Sequence, residues 1–132
     1  MMEINLKVLL ASVNTIALVG ASSNNLRDSY KVMQYFINNG YEVFPVNPKE
    51  SQSEILGRRC YSNLQDIKKK IDMVDIFRAK EFVKDITLEA IKVGVDIIWT
   101  QEGIVDHDSA LIAKKAGITF IMDKCPKKIL EN

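Results

Sequence analysis

The chain has 132 residues, 47% of them apolar and 27% charged, with a formal net charge of +1, which suits one globular domain over 1–132 with a core that buries about two thirds of the unfolded surface. That balance does not mark a nucleic-acid binder: the clusters Lys68–Lys70 and Lys127–Lys128 read as solvated faces. Two cysteines, Cys60 and Cys125, and a lone histidine fit neither a disulfide framework nor a zinc site, so no metal is expected and the setting reads as reduced and cytoplasmic.

In chain order, Glu3, Asn5 and Lys7 interrupt the first apolar residues, so 1–12 reads as a short amphipathic helix packed on the domain and not as a leader or membrane span. Residues 15–20 are an apolar strand ending at Gly20. Ser29 to Asn39 places Val32, Met33, Phe36 and Ile37 on one helical stripe, with Asn39-Gly40 as its C-cap. Tyr41 to Val46 is a second strand, stopped by Pro45 and Pro48. A loop of about a dozen residues passes Gly57 to Cys60-Tyr61. Asn63 to Lys70 suits a short helix capped by Asn63. Asp72 to Phe77 is the third strand, 80–93 a helix ended by Gly94, and Val95 to Thr100 the fourth strand. A helix from about Asp106 closes at Gly117, and Ile118 to Met122 is the fifth strand. Strands joined by helices or long crossovers predict an α/β fold: a Rossmann-like open parallel five-stranded sheet with helices on both faces.

Ligands of such sheets bind beyond the carboxyl ends of the strands, where strand order reverses. Gly20-Ala21-Ser22-Ser23-Asn24 follows the first strand as a loop of small residues able to offer backbone N–H groups to a phosphate, with a helix start nearby. It carries only one glycine of G-x-G-x-x-G and no P-loop lysine, so neither nucleotide fingerprint is complete. Asn47-Pro48-Lys49, Phe77-Arg78, Gln101-Glu102-Gly103 and Asp123 to Lys127 follow the other strands. About 27 residues beyond Gly20, where dinucleotide folds put an acid on the ribose, stands Asn47 with Lys49 close by, which favours a phosphorylated ribose.

Gly20 to Asn24, Ser29-Tyr30, Gly40-Tyr41, Pro45 to Pro48, Gly57 with Cys60-Tyr61, Val74 to Arg78, Trp99 with Gln101 and Gly103 to Val105, and Met122 to Cys125 occur in order over about 12–128. Together they resemble the single-domain CoA-binding proteins, which are similar to the N-terminal domain of the succinyl-CoA synthetase alpha subunit. The resemblance implies that coenzyme A lies across the strand ends. In that picture Gly20, Ala21, Ser22, Ser23 and Asn24 cradle the diphosphate and Asn47 and Lys49 lie near the adenosine. Phe77, Arg78, Gln101 and Gly103 border the pantetheine, and Ser29 and Pro48 are further cofactor positions. Glu102, where a small or apolar residue is usual, and Pro126 depart from the pattern.

The expected function is a non-catalytic module for CoA or acyl-CoA, with no catalytic residue, no nucleic acid and no membrane as partner. A protein partner and the choice between monomer and homodimer stay open. The alternative is an NAD(P)-dependent oxidoreductase or another nucleotide-cofactor enzyme, disfavoured because no acid–base pair or activated nucleophile stands beside the phosphate loop. Among single residues, Trp99 reads as core, His107 as a solvated first-turn residue, and Arg78 either as a ligand contact or as a partner for Glu81. Asp75 is not a receiver-type phosphoacceptor, because the first strand does not end in the acids that hold magnesium. Cys125 is either a buried thiol or a partner for the thiol of CoA.

Overall fold

Asn5 accepts the Val8 N–H at 3.2 Å and so caps helix α1, Leu6–Ala11. The computed structural model describes residues 5–132, and the first four positions of the expected 1–12 helix lie outside the described residues. Strand β1, Thr15–Val19, is buried along its whole length. Helix α2, Asp28–Asn38, follows, then β2, Glu42–Val46. A small antiparallel pair comes next, β3 at Glu54–Ile55 and β4 at Arg58–Arg59. After it come β5 at Met73–Ile76, helix α3 at Lys80–Val93 and β6 at Ile97–Thr100. Helix α4, His107–Lys115, β7, Thr119–Ile121, and helix α5, Pro126–Glu131, complete the chain.

The main sheet has five strands in the order β2-β1-β5-β6-β7, all parallel, as the alternation of apolar runs and helical stripes predicts. Successive side chains of a strand face opposite ways, so Ile16 and Leu18 join Leu10, Phe36, Met73 and Trp99 in one core layer. Ala17 and Val19 join Val74, Ile76, Ile98 and Ala113 in the other. Helices α1, α2 and α5 cover the first face, and α3 and α4 the second. Tyr41 donates its hydroxyl to the Leu10 carbonyl at 2.8 Å, tying α1 to the domain.

Three segments differ from the sequence expectation. The helix expected over Asn63 to Lys70 is a single 3₁₀ turn, Leu64–Asp66; its cap is as expected, with Asn63 accepting the Asp66 N–H. Beyond it the backbone is held extended from outside: the Thr15 hydroxyl donates to the Lys70 carbonyl and accepts the Asp72 N–H. These tertiary bonds override the local helical preference. The loop after β2 contains the β3–β4 hairpin, whose two-residue turn puts Leu56 at φ 51° and Gly57 at φ 77°. Pro126 does not merely interrupt the family pattern. It opens α5 at its first position, where a missing N–H costs nothing.

Candidate functional site

The strand order reverses between β1 and β5, whose neighbours β2 and β6 lie on opposite sides. Gly20 ends β1 at that point with φ +91°. A Cβ there would stand 2.8 Å from the Phe77 carbonyl carbon and 3.1 Å from Arg78 Cδ. The glycine therefore lets the β1 and β5 exits approach one another, and Phe77 N–H donates to the Val19 carbonyl at 2.7 Å to seal the junction.

Beside this junction lies a cavity of about 720 Å³ lined by Gly20, Ala21, Ser22, Ser29, Asn47, Pro48, Lys49, Phe77 and Arg78, together with Arg27, Asp28 and Glu50. A second cavity of about 290 Å³ adjoins it through the shared residues Asp28 and Phe77, and includes Lys31, Val32, Gln101, Glu102 and Cys125. Most of the residues singled out from the sequence are thus brought together. Ser23, Asn24 and Gly103 are exposed and line neither cavity. The Gly103 amide is used in a turn, donating to Asp123 Oδ1 at 2.7 Å.

The loop amides are largely occupied. Gly20 and Ala21 both donate to the Val46 carbonyl, at 2.9 and 3.3 Å, and Asn24 donates to the Ser22 hydroxyl at 3.0 Å. The Ser23 amide donates to both carboxylate oxygens of Glu50 at 3.2 Å, so an anion from within the chain already sits on the loop. Asn47 braces the two loops: its Nδ2 donates to the Ala21 carbonyl at 2.8 Å while its Oδ1 accepts the Lys49 N–H at 3.0 Å. Arg78 does not rely on Glu81; its guanidinium lies 4.0 Å from the centre of the Phe82 ring.

In the smaller cavity Cys125 is half-buried and free, whereas Cys60 is buried and its thiol is pushed up by that burial. Glu102 pairs with Lys128 at 2.7 Å, which accommodates its departure from the family pattern and raises the lysine through that hydrogen bond. Gln101 lines this cavity and donates its Nε2 to Asp75 Oδ1. Asp75 is wholly buried in β5, and burial pushes its carboxyl up to about 8 against the opposing effect of the Gln101 bond. Trp99 is fully buried and donates its indole N–H to the Lys124 carbonyl at 2.9 Å, a core role as expected. His107 is an exposed first-turn residue of α4.

Sequence reasoning missed Arg27, Asp28 and Glu50 in the larger cavity and Lys31 and Glu131 in the smaller. Arg27 and Asp28 were legible in principle, because they immediately precede the α2 stripe at the β1 exit. Glu50 was not, since nothing local reports that the 3₁₀ turn Pro48–Glu50 folds back on Ser23.

A parallel α/β sheet with adjoining cavities at its switch point defines a Rossmann-like domain. The sequence matches the CoA binding domain family over residues 14–131, and the chain belongs to that family. It is 34% identical over 122 residues to the uncharacterized protein YneT of Bacillus subtilis, covering 92% of this chain and 89% of that one. It is 32% identical over 88 residues to the ADP-forming acetate–CoA ligase I subunit alpha of Pyrococcus furiosus, covering 64% of this chain but 19% of the ligase subunit. The solved structure of a hypothetical protein from Pyrococcus horikoshii superposes with a TM-score of 0.90 at 33% identity, covering 99% of this chain and 97% of the other.

Proposed function

We propose that this domain binds coenzyme A, or an acyl-CoA, without transforming it. The observation that carries the reading is the pair of adjoining cavities at the switch point. The larger is lined by Arg27, Lys49 and Arg78, as a polyphosphate requires, and the smaller by Val32, Phe77 and Cys125, as a flexible, less polar arm requires. The family and the CoA named in the ligase relative support the same ligand. In this reading Lys49 faces the 3′-phosphate, and an anion on the Ser22–Asn24 loop displaces Glu50 from the Ser23 amide. The smaller cavity holds one thiol, that of Cys125. Two free cysteines suit a reduced, cytoplasmic setting. No described helix is long and apolar enough to cross a membrane.

Glu50 favours a second reading. A carboxylate in the cavity after β2 can accept the ribose hydroxyls of NAD, as in dinucleotide folds. Calorimetric titration of the reduced protein with CoA, dephospho-CoA, NAD and NADP separates the two. Saturable CoA binding with weaker dephospho-CoA and silent nicotinamides is expected. A preference for NAD or NADP overturns the CoA reading.

A further inference from the structure

Asp75 is a buried acid that no part of the binding scheme above uses. It stands in the middle of β5 between Leu18 of β1 and Trp99 of β6, on the side of the sheet covered by α1, α2 and α5. A leucine there would avoid the desolvation of a carboxyl group. One of its oxygens accepts Gln101 Nε2, while Oδ2 is buried with no partner among the described residues. Its single visible bond therefore runs to the side chain that lines the smaller cavity. A carboxamide is planar, so with its nitrogen fixed on Asp75 the Oε1 is the acceptor it can offer elsewhere. The other side-chain oxygens around that cavity are those of carboxylates, Asp28, Glu102 and Glu131. Two are already paired with lysines, Glu102 with Lys128 at 2.7 Å and Glu131 with Lys127 at 4.0 Å.

We infer that Asp75 is a positioning residue: by holding Gln101 through Nε2, it presents the Gln101 Oε1 to the smaller cavity as an acceptor for an amide N–H on the arm of the bound ligand. The inference rests on the reading that this cavity takes the pantetheine arm of CoA. What Asp75 supplies is an acceptor and not a charge, so asparagine can replace it and leucine cannot.

The test compares CoA with adenosine 3′,5′-bisphosphate, which lacks the arm, in titrations of the wild type and the variants Asp75→Asn, Asp75→Leu and Gln101→Leu. Asp75→Asn should retain the CoA affinity. Asp75→Leu and Gln101→Leu should each weaken CoA about tenfold, leave the bisphosphate unchanged, and lose no more when combined. Unaltered CoA binding by Gln101→Leu, or an equal loss of both probes in Asp75→Leu, overturns the inference. If Asp75→Leu does not fold, hydrogen exchange of the Gln101 side-chain amide in the wild type decides whether the pair forms. Protection is expected, and exchange at the solvent rate overturns it. Failure of the wild type to bind CoA at all, with that amide protected, refutes the ligand reading and leaves the pair as architecture.

Discussion

The two cavities meet at Asp28 and Phe77 but are built from different materials. The larger owes its shape to backbone: a glycine at φ +91°, two amides spent on the Val46 carbonyl, and an asparagine bracing one loop against the other. The smaller is made of side chains from α2, α5 and the exits of β5 and β6, with a buried acid beneath one of them. Backbone that is already bonded gives a fixed frame, and the cations on it supply charge without reorganisation. A side-chain cavity can adapt to different occupants, and its selectivity then depends on what restrains its few polar atoms.

Replacing Gly20 with valine should break the frame of the larger cavity and produce the largest effect. The added Cβ meets the Phe77 carbonyl, which as backbone cannot swing aside, and the φ of +91° is strained for any L side chain. A loss of about 3 kcal/mol or more is expected in chemical denaturation. A stable variant would show that the β1 and β5 exits can separate freely.

Asp75 supplies the matching test beneath the smaller cavity. Its folded value of about 8 lies above the ordinary 3.8, so between those limits the unfolded chain releases a proton that the folded chain keeps. Stability should therefore fall as pH rises from about 4 to about 8, by at most about 1.4 kcal/mol per pH unit from this group. Below that window the carboxyl is neutral in both states and the group has no such effect. Asp75→Asn should remove this contribution, so denaturant midpoints of variant and wild type should diverge from pH 5 to pH 8 in favour of the variant. Parallel curves would mean that the carboxyl is not held neutral.

How much of this was legible before folding follows the same division. Strands buried on both faces announce themselves as apolar runs, so β1 and its Gly20 exit could be read from Ile16 to Gly20 alone, and the parallel sheet from the alternation of such runs with helical stripes. The Trp99 core role and the Asn63 cap were equally local. What escaped depends on partners distant in sequence. Lys70 and Asp72 are drawn extended by Thr15, and Glu50 reaches Ser23 across 27 residues. The Asp75–Gln101 pair spans 26 residues and two strands, and no periodicity reports it. The family resemblance located the strand-end loops but could not reveal that several of their amides are spent internally.

Lys49→Glu tests whether the larger cavity discriminates by charge. Reversing a charge that lines it should weaken CoA about tenfold and dephospho-CoA much less, as read by titration of both. Equal losses would remove Lys49 from the 3′-phosphate and leave it a general contributor to the field of the cavity.

The smallest effect expected is also the one that separates the two ligand readings. Glu50 holds the Ser23 amide with both oxygens at 3.2 Å, so an incoming phosphate must displace a carboxylate of like charge. Glu50→Gln keeps the size and an acceptor but removes the charge, and should tighten CoA about threefold, the scale of a partly exposed charge interaction. Its effect on folding stability should be slight, since Asn47 continues to brace the two loops through the Ala21 carbonyl. If the substitution instead weakens binding, Glu50 is an acceptor for ligand hydroxyls, and the larger cavity is of the kind that reads a bare ribose. Comparing CoA with NAD on this one variant therefore shows whether the fixed frame rejects carboxylates or employs one.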